Sequence, residues 1–111
     1  MRNAGGHAWV ARRQDIIAAL NLTAVADGHW LTGLFSAPSE RGKGLASALL
    51  VATLAEQQGP VWLFCEASLL AFYARLGFQP CDQLPAPLAE RLARYRRHRA
   101  LHALVWQAAG D

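Results

Sequence analysis

The chemistry available to this chain is concentrated in a few places. In "SAPSERGKGLASALL", residues 36–50, a proline closes an apolar run and Arg41-Gly42-Lys43-Gly44 leads directly into strong helix formers. A helix start presents unpaired N–H groups at the positive end of the macrodipole, and glycines let a ligand come close to that backbone. With Arg41 and Lys43 adding positive charge, the turn is an anion site on physical grounds alone. It is neither of the two commonest phosphate loops, because the GxxxxGK[ST] and GxGxxG spacings are both absent.

Other side chains could move a proton or carry a group. Glu66 directly follows a short apolar run and His29 opens another, which makes each a candidate general base. Each has an equally simple reading as a solvated residue at a strand end. Tyr73 lies between Phe72 and Leu76, either as an acid or as a core tyrosine. Cys65 and Cys81 lack a CxxC spacing and a His-rich partner cluster, so they read as two reduced, partly buried thiols.

These groups need elements to hold them. Residues 7–12 alternate enough for a short strand, and 15–25 and 29–37 read as two more, with Asp27-Gly28 between them as a hairpin-type turn. Pro38 cannot donate to a ladder and ends this antiparallel meander. From 44 to 57 the spacing predicts a helix with Leu45, Ala48, Leu49, Ala52 and Ala55 on one face, broken by Gly59-Pro60. "VWLFC", 61–65, is a continuous apolar run between breakers and predicts a strand buried on both faces, as in a parallel pair. Ser68 is placed to cap a helix over 69–76, and Gly77 to close it with a left-handed residue. Strand, helix, strand and helix in this order make a βαβ unit. Beyond it come a strand fragment in "FQPC", a loop, an amphipathic helix over 88–99 with Leu88, Leu92 and Tyr95 on one side, and a closing strand over 100–107. The fold class expected is α/β (α+β), as a single domain spanning residues 1–111.

Composition limits the function classes. The 111 residues are 53% hydrophobic and include four Trp, enough for one modest core. Eleven Lys+Arg against 8 Asp+Glu give a formal charge of +3, too mild to imply nucleic acid by itself but suited to an anionic ligand. No apolar run reaches the roughly 18 residues of a membrane span, and the first residues lack the apolar core of a signal peptide, so the chain is read as cytoplasmic.

Two motifs at a consistent separation then carry a family resemblance. Arg41-Gly42-Lys43-Gly44-Leu45-Ala46 fits [Q/R]xxGx[G/A], the signature of the GNAT superfamily of acetyl-CoA-dependent N-acetyltransferases, and lies as it does there between a strand and a helix. "FYARLGF", 72–78, resembles the FYxxxGF element that follows that family's next strand. The resemblance implies a GNAT-like mixed sheet: an antiparallel meander, a βαβ unit with splayed parallel strands, then a C-terminal helix and a closing strand. It implies acetyl-CoA as cosubstrate and no metal. The pyrophosphate would rest on the backbone of Arg41, Gly42, Lys43, Gly44, Leu45 and Ala46. The pantetheine arm would lie in a V between strands 29–37 and 61–65, along Leu34, Phe35 and Ser36, with Leu34 and Ser36 bonding it as an added strand would. Tyr73 takes the place of the tyrosine that protonates the departing thiolate. Glu66 stands where many relatives carry an asparagine.

The proton logic agrees with those roles. An amine must lose a proton as it attacks a thioester and the thiolate must gain one, so a base and an acid on opposite sides of the reacting carbon are useful. A backbone N–H aimed at the thioester oxygen would stabilise the tetrahedral intermediate. Cys65 could carry the acetyl group covalently, but direct transfer is the commoner route in the family.

Relatives begin with a strand and two helices for which there is no room before His7. A shortened domain is therefore expected, with an uncovered sheet edge and face that favour a homodimer. Segment 82–99 is expected to replace part of the lost wall, with its Arg cluster facing solvent, an acidic substrate or an anionic partner. The leading function is an N-acetyltransferase acting on an amine of a small molecule or peptide; the alternative is a catalytically idle acyl-CoA-binding regulatory module. A nucleic-acid binder using Arg91, Arg94, Arg96, Arg97 and Arg99 is a third class, for which a solvated face is the simpler reading.

Overall fold

In a computed structural model the described residues are 6–12 and 16–108. Six strands form one mixed sheet: β1 (Gly6–Arg12), β2 (Ile16–Val25), β3 (Gly28–Ser36), β4 (Val61–Cys65), β5 (Gln79–Pro80) and β6 (His102–Trp106). Their order across the sheet is β1-β2-β3-β4-β6-β5. Three helices, α1 (Leu45–Leu54), α2 (Leu70–Arg75) and α3 (Ala86–Tyr95), complete the described fold. β1, β2 and β3 form the expected antiparallel meander, and β3–α1–β4 is the βαβ unit, with β3 and β4 parallel. The closing strand does not extend the sheet. It inserts between β4 and β5 and pairs antiparallel with both.

The β2–β3 hairpin turns one residue earlier than Asp27-Gly28 suggests. Val25 pairs with Gly28, so the loop is Ala26-Asp27, and Ala26 takes the positive φ of 52°. Gly28 opens β3 instead, packed so closely on the Pro60 carbonyl oxygen that a side chain would collide with it. The neighbouring His29 N–H donates to the same carbonyl at 2.9 Å. Gly28 is thus required for close approach and not for turn geometry.

One face of the sheet carries the main core: Leu20, Leu22 and Leu31 from the meander, Leu50 and Leu54 from α1, Val61, Leu63 and Cys65 from β4, Tyr73 from α2, with Phe78 and Leu104. On the other face α3 covers the β4–β6 part, where Leu92 meets Leu101 and Ala103 with Phe64 packed alongside. Helix α1 buries a different stripe from the one its spacing predicts. Leu50, Thr53 and Leu54 are inside, while Ala48, Ala52 and Ala55 face solvent. The helix is apolar almost all round, so its periodicity says little, and the larger side chains win the interior because they bury more surface. Thr53 is tolerated there because its hydroxyl donates to the Leu49 carbonyl oxygen at 2.8 Å.

Candidate active site

The deciding geometry lies between β3 and β4. They pair only at His29↔Val61 and Trp30↔Trp62, after which no ladder joins them. The reason is in β3. Between Thr32 and Phe35 the register with β2 slips, so that Gly33 and Leu34 stand opposite Leu20 alone, and Gly33 adopts a φ of 67°. This is a bulge with a left-handed glycine, which bends the strand and sharpens its twist. β3 therefore leaves β4 just beyond the last shared pair. Ala37 donates its N–H to Ile17 on the β2 side at 2.8 Å. By strand alternation the backbone groups of Ser36, and of Leu34 two residues before it, turn to the gap.

The gap opens beside the glycine turn. A 3₁₀ turn over Pro38–Glu40 follows β3, and Gly42 and Gly44 then take φ values of 84° and 75°. A Cβ at either would meet nothing within 4 Å, so it is the backbone conformation and not crowding that requires glycine. Gly44 is the N-cap of α1, with no side-chain cap and no acidic residue in the first turn. The helical ladder begins with Ala48 N–H donating to the Gly44 carbonyl at 2.9 Å, so the N–H groups of Leu45, Ala46 and Ser47 precede it. Arg41 and Lys43 flank this cradle, both exposed.

Tyr73 comes from α2, on the sheet face that carries the main core. It is 8% exposed and sits edge-on to Phe72 and Phe78, with ring centroids at 5.0 and 5.6 Å. Burial, and then the neighbouring Cys65, push its pKa up to about 12. Burial also raises the Cys65 thiol. The helix end that holds Tyr73 is closed by Gly77, as expected: Phe78 N–H donates to the Tyr73 carbonyl and Gly77 N–H to that of Ala74, both at 3.1 Å, with Gly77 at φ 99°. Ser68 does not cap α2. It lies inside a 3₁₀ turn over Ala67–Leu69 that occupies the place of a cap, and the N-cap residue Leu69 makes no side-chain cap bond.

The two base candidates part company. His29 is opposite the first residue of β4, whereas Cys65, beside Tyr73, is the last. Four residue steps along the strand separate those ends, about 13 Å. The fold does not bring His29 to the phenol. Glu66 does stand at the right end of β4, but as an exposed carboxylate ion-paired with Arg99 at 3.1 Å, the two side chains 55% and 60% exposed.

That partner leads to a wall that the expectation for segment 82–99 anticipates in part, without the strand residues that complete it. Trp30, Thr32, Phe64, Tyr95, Arg99 and Leu101 line a cavity of about 210 Å³ on the face opposite Tyr73. Trp30 lies 5.7 Å from Phe64 by ring centroid, Phe64 lies 6.3 Å from Tyr95, and the Arg91 guanidinium sits 4.8 Å over the Trp30 ring. The available signal was Tyr95 beside five arginines on one short segment. α3 ends at Tyr95 rather than 99, with turns carrying the chain on to Arg99. Arg96 donates to the Leu101 carbonyl at 3.1 Å, so three of the five arginines have partners within this wall. A larger cavity, about 550 Å³, lies at the other end of β4 around Asp27, Pro60 and Trp62, remote from the phenol and the glycine turn. Among the described residues no cluster of three His, Cys, Asp or Glu could hold a metal, and no helix is long and apolar enough to cross a membrane.

A family model described as an acetyltransferase (GNAT) domain matches residues 4–80, the span that contains the splayed strands, the glycine turn and Tyr73. The chain belongs to the GNAT family. This GNAT domain also resembles solved structures of the same fold. N-acetylglutamate synthase from Neisseria gonorrhoeae, complexed with coenzyme A and N-acetyl-glutamate, superposes with a TM-score of 0.71 at 19% identity, covering 89% of this chain and 24% of the synthase. Escherichia coli ElaA gives 0.71 at 15% identity, covering 95% and 70%. The PaiA N-acetyltransferase from Thermoplasma acidophilum, in complex with coenzyme A, gives 0.64 at 13%, covering 94% and 62%. The GNAT chain thus spans about a quarter of the synthase. Among curated proteins none matches it.

Proposed function

We infer that this GNAT domain transfers acetyl from acetyl-CoA to a primary amine by direct attack. The observation that carries this is the early end of the β3–β4 ladder, beside an uncapped helix start and across from a buried phenol. The pantetheine arm fits the gap as a surrogate strand, bonded by Leu34 and Ser36, with Phe35 between them. The pyrophosphate fits the backbone of Arg41 to Ala46, where the residues offer N–H groups, positive charge and no blocking side chain. The amine nitrogen bonds the acetyl carbon, the C–S bond breaks, and Tyr73 meets the charge developing on sulfur. With a pKa of about 12 against roughly 8.5 for an alkyl thiol, complete proton transfer from Tyr73 is uphill. Its role is therefore that of a hydrogen-bond donor in the transition state, the thiol's proton coming in balance from the attacking nitrogen. Glu66 or an ordered water takes the amine's first proton.

Calorimetric titration with acetyl-CoA and a thiol-release assay over amines test the reading. Micromolar binding with release of one thiol per acetylated amine is expected, and absence of binding at millimolar acetyl-CoA overturns it. The second reading, an idle acyl-CoA-binding module, is favoured by one observation: the carboxylate nearest Tyr73 along β4 is tied to Arg99 at the surface. Tight acetyl-CoA binding with no thiol release from any amine would establish that reading instead.

A further inference from the structure

The cavity opposite Tyr73 has a composition specific enough to name an acceptor. Trp30 and Thr32 come from β3 and Phe64 from β4, so the cavity bridges the two strands from the last pair of their ladder onward. Trp30 and Phe64 alternate along their strands with Leu31, Leu63 and Cys65, which pack into the core with Tyr73. A molecule in the cavity thus approaches the gap from the face opposite the phenol. Three aromatic rings form its wall, and the charged group lining it is the Arg99 guanidinium. Glu66 stands next to that guanidinium and directly follows Cys65. A cation and an anion 3.1 Å apart at the mouth of an aromatic cavity complement a ligand that carries the same two charges on groups bonded to one carbon. The volume, about 210 Å³, lies below the roughly 300–1,000 Å³ of drug-sized sites and suits one small molecule.

Building on the acetyltransferase reading, we propose that the acceptor is a free α-amino acid with an aromatic or large apolar side chain. Its carboxylate binds Arg99, its ammonium faces Glu66 at the mouth of the gap, and its side chain lies against Trp30, Phe64 and Tyr95. An ion pair this exposed costs little to open, so the ligand's charges replace each partner in turn. The ammonium loses one proton to solvent by way of Glu66 or a water. The neutral nitrogen then bonds the acetyl carbon as the C–S bond breaks, and its second proton balances the one gained by sulfur. The products are an N-acetyl amino acid, the coenzyme A thiol and one proton.

The test is thiol release with phenylalanine, phenylalaninamide and alanine, in the wild type and in Arg99→Gln, with acetyl-CoA binding measured on the same preparations. Phenylalanine is expected to have a KM about 10- to 100-fold below that of its neutral amide, the scale of one charged hydrogen-bonding contact. Arg99→Gln should bring the two within about twofold of each other, while acetyl-CoA affinity shows that the variant is folded. Alanine should be poorer than phenylalanine through KM. Equal use of acid and amide, equal use of alanine and phenylalanine, or acetyl-CoA binding with no acetylation of phenylalanine each overturns this acceptor and leaves the cofactor reading standing. Absence of acetyl-CoA binding overturns both.

Discussion

Tyr73 keeps its proton through the neutral and mildly alkaline range, because burial and then Cys65 push its pKa to about 12. The same shift couples the residue to stability. An unfolded tyrosine ionises near pH 10, and the fold favours the neutral phenol. That contribution, on the order of 2–3 kcal/mol, is fully present below about pH 10 and is lost as pH rises through about 12. The urea midpoint is expected to fall across that window, and Tyr73→Phe should flatten the fall. In turnover, Tyr73→Phe should lower kcat roughly 100-fold with acetyl-CoA affinity unchanged. A variant that keeps full kcat would remove the phenol from the mechanism. The place of Tyr73 on the helix after β4 was legible in the sequence because it sits inside a seven-residue pattern. Arg99 stood out only as one of five arginines and Phe64 only as part of a strand, since what joins them is a meeting of β4 with the turns after α3, which no local spacing records.

Among the elements, the two glycines that frame the helices predict different outcomes. Gly77→Ala forces an alanine to φ 99° and sets a Cβ 3.2 Å from the Trp106 ring, so both strain and crowding act. It should cost about 2 kcal/mol or more of stability, read as a lowered denaturant midpoint. Gly44→Ala meets no neighbour, and about 1 kcal/mol of left-handed strain is its whole structural cost. Its added methyl group stands on the approach to the helix start, however, so acetyl-CoA affinity should fall about tenfold. Breakers made most elements readable: Pro38 ends β3, Gly59-Pro60 separates α1 from β4 and Gly77 closes α2, each close to where the structure does. Gly33 carried equal information and was passed over. A lone glycine within a strand is a bulge signal, and here it is the bulge that parts β3 from β4.

For the whole molecule, the surface left open by the meander sets the next test. Val10 pairs with Ala19 and Ala19 with Phe35, an apolar row across three strands in which Val10 is 42% and Phe35 43% exposed. This row is where the self-association expected from the sequence would occur, and β1 is an edge strand beside it. Sedimentation at micromolar concentration should show a dimer that Val10→Glu converts to monomer, and a wild-type monomer would refute the expectation. The strand order was the least legible feature. A closing strand could be seen in the sequence, but its place beside β4 depends on contacts between distant segments.

That placement bears on how the protein comes into being. β4 forms one wall of the cleft, and its second neighbour, β6, follows α3 in the chain. During synthesis from the N-terminus, the meander, the glycine turn, α1 and α2 can all gather while β4 still shows a bare edge of apolar residues. Only when His102–Trp106 leaves the ribosome can that edge be sealed, and the same event seats Leu101 and Ala103 under α3. The wall that carries the glycine turn and Tyr73 therefore precedes the wall built by α3 in the chain, and a nascent chain halted short of β6 is expected to be prone to aggregation and proteolysis.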